Sequence, residues 1–451
     1  MHDLRSFLDR VRSERAPEMV EVHREVQPRY ETTAILTQFE RRMRSPVLLF
    51  RNIAGATFPV VTNVCGSRGR LALAMGCPLG DLGRTFRERC ARPMPPEVAS
   101  TGPVHENVRL GTDVDLRALP QMVYHQDDSP HPYITAAMVV VRDPESRRAN
   151  LSYHRLMIVG ARKTGIFMEH GHLLEVFQKH VRAGRDMPIA VILGAHPLWS
   201  LGALYSGPAD VEEYDIIGGL QGRPLETVNC LTCPDLLAPS RAEFTLEGSV
   251  SINERIEEGP FGEFTGVSSG KTSSPAFNVG AMTYRNDAIF QDIVSGHAEH
   301  LLLPSLGLEA RLLSVARTVV KHVRGIGMPV PLTIVVSIEK SDDNEPRRLI
   351  EKLLDCGIHV KHVVITDASV DPGNLRQVLT AVSLNTQADR DVYIYGNQQG
   401  SPCDPSALEN GQTAKMGIDG TLSQSGNRSV AANAVPKEIL DAVNIDAILR
   451  G

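Results

Sequence analysis

No stretch of the 451-residue chain approaches the length of an apolar membrane span, and no basic excess is present, since 47 Lys and Arg stand against 53 Asp and Glu for a formal charge of -6. The first absence argues against a helical membrane protein. The second leaves no cationic face for a phosphate backbone, so nucleic acid is not expected as a partner. The opening residues Met1-His2-Asp3-Leu4-Arg5 are charged and lack the apolar segment of a secretory signal, and the expected location is cytoplasmic. Glycine-rich fingerprints of the G-x-G-x-x-G or G-x-x-x-x-G-K type are missing, so any nucleotide cofactor is held in another way. Internal repeats are missing too. The seven cysteines are an odd, scattered set. Cys230-Leu231-Thr232-Cys233 has no second pair to complete a tetrahedral zinc site, and free thiols are expected.

What is present is enough apolar material, 42% of the chain, to bury two or three domains without disulfides. Residues 1 to 16 carry Leu4, Phe7, Leu8 and Val11 at helical spacing, closed by Pro17, and 20 to 26 alternate like a strand. A proline-rich excursion covers 85 to 132. Two apolar runs, 133 to 142 and 149 to 160, flank Asp143-Pro144-Glu145-Ser146 and predict a hairpin. Further strands are predicted at 188 to 193, 225 to 230, 242 to 246 and 277 to 284. The period then changes: 301 to 323 predicts one long helix, and strand and helix alternate from 332 to 395 as in a small α/β domain.

Two segments carry chemistry. Glu258-Gly259-Pro260-Phe261-Gly262-Glu263 places a carboxylate at each end of a tight turn, and Asn150-Leu151-Ser152-Tyr153-His154-Arg155 offers an amide and a guanidinium. If they meet, the chain holds a carboxylate, guanidinium, carboxylate triad, in which one Glu stays ionised beside Arg155 while the other is available to carry a proton to a carbon acid. Decarboxylation also needs an electron sink, which side chains do not supply, so a cofactor is expected. Asn150, His170, His172 and Glu213 could converge on a hard divalent ion, manganese or magnesium rather than zinc. Each also has an ordinary structural explanation as a turn cap, a helix start or a solvated face.

These segments, together with the His172 helix start, Glu213 followed by Tyr214 and Gly218, Leu246-Glu247-Gly248, Thr265-Gly266 and Lys415-Met416-Gly417-Ile418-Asp419-Gly420-Thr421, resemble the UbiD family of reversible decarboxylases in the family's own order over about two thirds of the chain. The resemblance implies prenylated flavin mononucleotide as cofactor, with Asn150, His172 and Glu213 at the positions that hold a divalent metal, usually Mn2+ (or Mg2+), and a K+ ion beside it. Thr135, Asn150, Ser152, Arg155, His172 and Lys415 match cofactor-binding positions. Glu263 matches the proton donor, and Arg155 and Glu258 complete its network. His170 is the alternative metal ligand to His172.

The implied fold is α+β: an N-terminal α/β segment (1–120), a central split β-barrel that binds the flavin (121–298), a linker helix (299–325) and a C-terminal α/β oligomerisation domain (326–451). The expected assembly is a homodimer or hexamer, and a flavin prenyltransferase is the expected cofactor supplier. The expected substrate is an aromatic, heteroaromatic or α,β-unsaturated carboxylic acid that loses CO2. Ser295-Gly296-His297-Ala298-Glu299-His300-Leu301 resembles the branch acting on aromatic and heteroaromatic acids such as furan dicarboxylates, with His297 and His300 as substrate-side residues. An Arg that binds the second carboxylate in that branch is replaced by Leu308, so a pocket without a second cation, and a monocarboxylate, are expected. The alternatives are a metal-dependent hydrolase or lyase without flavin, a conventional flavoprotein oxidoreductase, and a non-catalytic subunit of a carboxylase complex.

Overall fold

The computed structural model of the protein describes residues 2–168, 171–205, 207, 211–357, 359–423 and 435–443. Its architecture is mixed α+β, with four sheets. The first helix, Leu4–Glu14, buries the expected stripe of Leu4, Phe7, Leu8 and Val11, and Asp3 and Ser6 close its N-terminus with reciprocal side-chain to backbone bonds. It stops short of Pro17, the second residue of the 3-10 turn Ala16–Glu18 that leads into the strand Met19–Val22. That strand pairs in parallel with Val47–Phe50, followed by Val60–Thr62. The fourth strand of this sheet, Phe290–Asp292, comes from the stretch just before the linker helix. The N-terminal segment is therefore stitched to the far end of the central domain. A buried ion cluster reinforces the join. Glu243, fully buried, receives two bonds from Arg5 (2.9 and 2.8 Å), one from Arg285 (3.2 Å) and one from the Ile289 amide (3.0 Å).

The central sheet runs, strand beside strand, through Tyr133–Ile134, Leu156–Gly160, Lys163–Ile166, Thr272–Tyr284, Phe244–Glu258, Met187–Leu193, Met138–Arg142 and Ala149–Tyr153, with Asn107–Leu110 added beside Thr272–Tyr284. The predicted hairpin is present, Met138–Arg142 pairing with Ala149–Tyr153. Its second run is not one strand: it breaks at His154 and Arg155, and Leu156–Gly160 joins the opposite end of the sheet. Among the described residues the two end strands do not hydrogen-bond, and no closed barrel forms. Yet three residue steps from Tyr153 to Leu156 span at most about 11 Å. The ends therefore lie close across a seam crossed by two connections, 135–137 and 154–155, which bond one another through the His154 amide donating to the Ala137 carbonyl at 3.0 Å.

From the central sheet the chain enters the helix Ala298–Ala316. Glu40, the last residue of the helix Glu31–Glu40, anchors its start by accepting from the Ala298 amide at 3.1 Å and from His297 Nδ1 at 2.7 Å. The predicted helix, 301 to 323, starts three residues later and ends seven residues later than this one. The helix ends at Ala316 because Thr318-Val319-Val320 is a β-branched run with poor helix propensity. The chain then forms a five-stranded sheet in the order Val323–Val330, Thr333–Ile338, His362–Asp367, Gln412–Gly420 and Val392–Gln399, parallel in the middle and antiparallel at both edges. Alternate residues of one strand serve two cores: Ile334 and Val336 pack with Leu349 and Leu353 of the helix Glu345–Leu354, whereas Val335 packs with Val378 of the helix Leu375–Asn385. No helix among the described residues is long and apolar enough to cross a membrane.

Removing Glu243 would leave two arginines facing one another without their shared carboxylate. Glu243→Ala is expected to lower stability by about 2 to 3 kcal/mol, at or below the lower end of the range for breaking buried pairs because the Arg5 side chain is 30% exposed. The fluorescence of the single tryptophan, buried Trp199, reports it in a urea titration, and an unshifted midpoint would contradict it.

Candidate active site

The seam positions the guanidinium. Arg155 sits in the two-residue gap between Ala149–Tyr153 and Leu156–Gly160, its carbonyl accepting from the Phe167 amide at 3.3 Å. Glu258 ends the long strand Phe244–Glu258, and the turn after it is defined by Gly259 at φ 86, a left-handed conformation that suits glycine, and by a cis Gly259–Pro260 bond. The turn is held at each step: the Gly259 amide donates to Tyr133 Oη (3.1 Å), the Gly262 amide to Asp128 (3.0 Å), the Ser129 amide to the Pro260 carbonyl (2.7 Å) and the Glu263 amide to the Val267 carbonyl (2.8 Å). Gly262 also allows close approach, because a Cβ there would lie 2.7 Å from Ser295 Oγ.

The triad expected from sequence is present. Arg155 Nε and Nη2 donate to the two oxygens of Glu258 at 2.8 and 3.0 Å, and Nη1 donates to Glu263 at 2.5 Å. Side-chain exposures are 9% for Arg155, 0% for Glu258 and 15% for Glu263. Burial acts to lower the Arg155 pKa, but the bonds and charges of both glutamates outweigh it and hold the guanidinium above its ordinary value. Phe167 and Phe261 stack on this cation with ring centroids 4.0 and 5.1 Å from Cζ. Ser269 receives a further Nη2 bond at 3.3 Å. Burial, then the charge of Glu258, pushes the Tyr133 phenol up, so it stays protonated beside the pair. Phe167, Ser269 and Tyr133 were not singled out from sequence; only their aromatic or turn-residue character marks them there.

A cavity of about 540 Å3 opens beside the triad, walled by the seam, by the helix Ala298–Ala316 and by Gly357, His359 and Val360 at the corner of the C-terminal sheet. Thr135, Arg155, Glu263 and His300 line it. Thr135 donates to buried Asp292 at 2.8 Å and accepts from the Ile293 amide at 3.0 Å. Tyr124 shares that carboxylate, which burial pushes up to about 6. The Gly296 amide donates to His300 Nδ1 at 3.2 Å. Burial, then the charge of Arg155, lowers His300 to about 4, so its ring is neutral and Nε2–H is its remaining donor. His297 is placed differently. It is tied to Glu40 at the helix start and does not line the cavity.

Of the residues expected around a cofactor and metal, Asn150, Ser152 and Glu213 are brought together. Asn150 Nδ2 donates to Glu213 at 3.2 Å, the Leu151 amide to its other oxygen at 3.1 Å, and Ser152 lies 3.4 Å from Asn150 Oδ1 and 3.0 Å from His154 Nε2. Burial pushes Glu213 up to about 7, against these bonds. Two hard oxygen donors and a buried carboxylate fit a divalent cation, which would offset that burial. His172, however, is exposed at the first turn of its helix and hydrogen-bonds neither of them, and no cluster of three His, Cys, Asp or Glu suited to a metal occurs among the described residues. His170 lies outside the described residues. Lys415 lies behind the cavity wall, its ammonium donating to the carbonyls of Leu354 (2.7 Å) and Gly357 (3.1 Å).

The expectation of a pocket without a second cation is corrected. Leu308 does line the cavity, but so does Arg311, one helical turn further on. His300, Pro304, Leu308 and Arg311 follow i, i+4, i+8, i+11 spacing and share one face of the helix, a signal the sequence carried.

Comparison with known proteins bears on this geometry. Residues 12–90, 97–298 and 303–420 match the N-terminal, Rift-related and C-terminal domains of 3-octaprenyl-4-hydroxybenzoate carboxy-lyase, UbiD. The chain belongs to the UbiD family. The UbiD-class enzyme HmfF from Pelotomaculum thermopropionicum, solved in complex with FMN, is 32% identical, with a TM-score of 0.92 and coverage of 99% of this chain and 100% of that one. An evolved dimeric form of HmfF in complex with prFMN gives 30% identity, a TM-score of 0.88 and the same coverage. Anhydromevalonate phosphate decarboxylase of Methanothermobacter thermautotrophicus is 29% identical over 422 residues, 93% of this chain and 96% of that protein. Phenolic acid decarboxylase of Streptomyces sp. strain D7 is 29% identical over 460 residues, covering 96% of each. The UbiD-family chain is accordingly a decarboxylase, and structures of its class hold FMN and prenylated FMN.

His300 provides a test of the cavity's electrostatics. Its folded pKa lies below the free value of 6.5, so the stability it contributes is present above pH 6.5 and lost as pH falls through about 4. The His300 ring signal, assigned in a histidine-labelled NMR spectrum by difference from His300→Asn, is expected to move near pH 4 and stay fixed from 8 to 5.5. A ring titrating between 6 and 7 would show a charged, wetter site.

Proposed function

We propose that this UbiD-family chain catalyses reversible, non-oxidative decarboxylation of an aromatic, heteroaromatic or α,β-unsaturated carboxylic acid with prenylated FMN, and that Glu263 is its proton donor. The observation that carries the reading is the Glu258–Arg155–Glu263 triad opening on a cavity of about 540 Å3. When bound there, prenylated FMN supplies the sink for the electron pair that the departing CO2 leaves behind. The chain's own part is positioning and proton transfer.

Glu258 is engaged by Arg155 through both oxygens and is fully buried, so it serves as the fixed counter-charge. Glu263 accepts one bond from Arg155 and lines the cavity, leaving its second oxygen for a proton exchanged with the substrate carbon. Two carboxylates on one guanidinium carry one excess negative charge in a poorly hydrated place, and a proton on the set balances it. In the forward direction the proton passes to the carbon that has lost CO2, and in the reverse direction the same carboxylate removes it. Phe167 and Phe261 keep water from the guanidinium. His300 offers Nε2–H to a carboxylate or phenol oxygen of the acid.

Asn150 and Glu213 would hold a divalent ion, Mn2+ or Mg2+, with His172 as the third ligand in the loaded enzyme, and the ion's charge would tether the cofactor phosphate near Ser152. Thr135 and Lys415 complete the proposed cofactor contacts. Exposed Leu379, Leu384 and Ile394 on the C-terminal domain support its proposed role in self-association.

Glu263→Gln keeps the shape and removes the proton. It is expected to reduce CO2 release at least 10²-fold while flavin stoichiometry, read from absorbance of the released cofactor, is unchanged; turnover within a few-fold of the parent would assign the proton to another group. Glu213→Ala should strip metal and flavin together, and stoichiometric flavin in that variant would show that the ion is not the tether.

A further inference from the structure

Arg311 stands apart from the charge balance of the triad. Its Nη1 donates to the Cys356 carbonyl at 3.0 Å, and among the described residues it makes no other hydrogen bond and no ion pair. A guanidinium has five donors. The same cavity is lined by the apolar Leu303, Leu308, Met328 and Val360, with His359 beside Val360. The charges at the same corner do not neutralise it. Lys415 is a second cation, bonded to the Leu354 and Gly357 carbonyls and lowered in pKa by burial against the opposing charge of Asp355, which forms no ion pair with Arg311. Gly357 leaves room beside the fork: a Cβ there would be 3.9 Å from Arg311 Nη2.

A partly buried cation at such a wall is stabilised by an anion, and among the described residues none pairs with it. Arg155 cannot perform this service for a ligand, because its Nε, Nη1 and Nη2 donors are committed to Glu258 and Glu263. Along the helix, eleven residues separate His300 from Arg311, about 16 Å between their Cα atoms. The cavity thus offers a neutral donor near the proton-transfer end and an unpaired planar cation set back from it.

We propose that Arg311 determines specificity by pairing with a second anionic group of the substrate, a carboxylate or a phosphate, distal to the carboxylate that is lost. This deepens the decarboxylase reading and rests on it. The planar fork matches either group with two parallel bonds, and Lys in its place would not reproduce that geometry.

The test uses the flavin-loaded enzyme and three probes, benzoate, terephthalate and 4-(phosphonooxy)benzoate, with dissociation constants from calorimetry. At least one dianion should bind tenfold or more tightly than benzoate, and which one does identifies carboxylate or phosphate as the group. In Arg311→Met the advantage should disappear, with benzoate affinity and flavin content unchanged. Equal binding of all three probes by the parent enzyme would overturn the proposal whatever the variant does. So would an advantage that survives in Arg311→Met, or loss of flavin from that variant, which would assign Arg311 to the cofactor. None of these outcomes depends on Glu263, so failure here is separate from failure of the proton-donor assignment.

Discussion

The structure depends on holding one guanidinium between two carboxylates away from water. An isolated charge in such a place is strongly unfavourable, and even a well-made pair recovers little net stability once desolvation is counted. Such a group persists where the surrounding fold fixes it, and here the fold does so from three directions. The sheet seam fixes Arg155, the end of a long strand fixes Glu258, and a turn hydrogen-bonded at Gly259, Gly262 and Glu263 fixes the third member. The two phenylalanine rings replace hydration on the faces of the cation.

The seam explains why this site could form at this point of the sheet. Within a continuous ladder, successive side chains alternate between faces and backbone groups are consumed by neighbours. At the gap of His154 and Arg155 the chain leaves one end of the sheet and enters the other, so adjacent residues take different tasks. His154 bonds the Phe167 carbonyl at 2.9 Å and meets Ser152, while Arg155 turns to the glutamates. Thr135 occupies the companion crossover between Tyr133–Ile134 and Met138–Arg142. Both crossovers face the same cavity, and the domain's unpaired edges thereby become its functional surface.

How much of this the sequence disclosed follows from the range over which each feature is determined. The triad was legible because its residues sit in two short motifs whose composition is unusual in itself. The first helix, the hairpin at 143–146 and the alternating C-terminal third were legible because their periodicity is local. The strand break at His154 was not, since the apolar pattern continues through Leu156 to Val159 and only pairing with opposite ends of the sheet divides it. The strand Phe290–Asp292 has three residues and owes its existence to partners more than two hundred positions away. His297 and His300 looked equivalent in sequence. Glu40, from another element, separates them into a helix anchor and a cavity group.

Arg311 shows the same limit from the opposite side, because reading Leu308 alone as the determinant treats a helix as a string. On a helix the turn after a position faces the same way, and a long side chain reaches back over the preceding turn. A cation lost at 308 and present at 311 is therefore a displacement within one wall, not a removal. The helix that carries it is anchored at Glu40 and interrupted by Pro304, which cannot donate to the His300 carbonyl. Its two ends consequently belong to different units, His300 to the seam and Arg311 to the C-terminal corner. Any change in the relation of those units alters the spacing between donor and cation while leaving the triad, which lies wholly within the central sheet and its turn, unaltered. Selection of the acid and transfer of its proton are thus carried by separately supported groups, and the first can vary among related chains without disturbing the second.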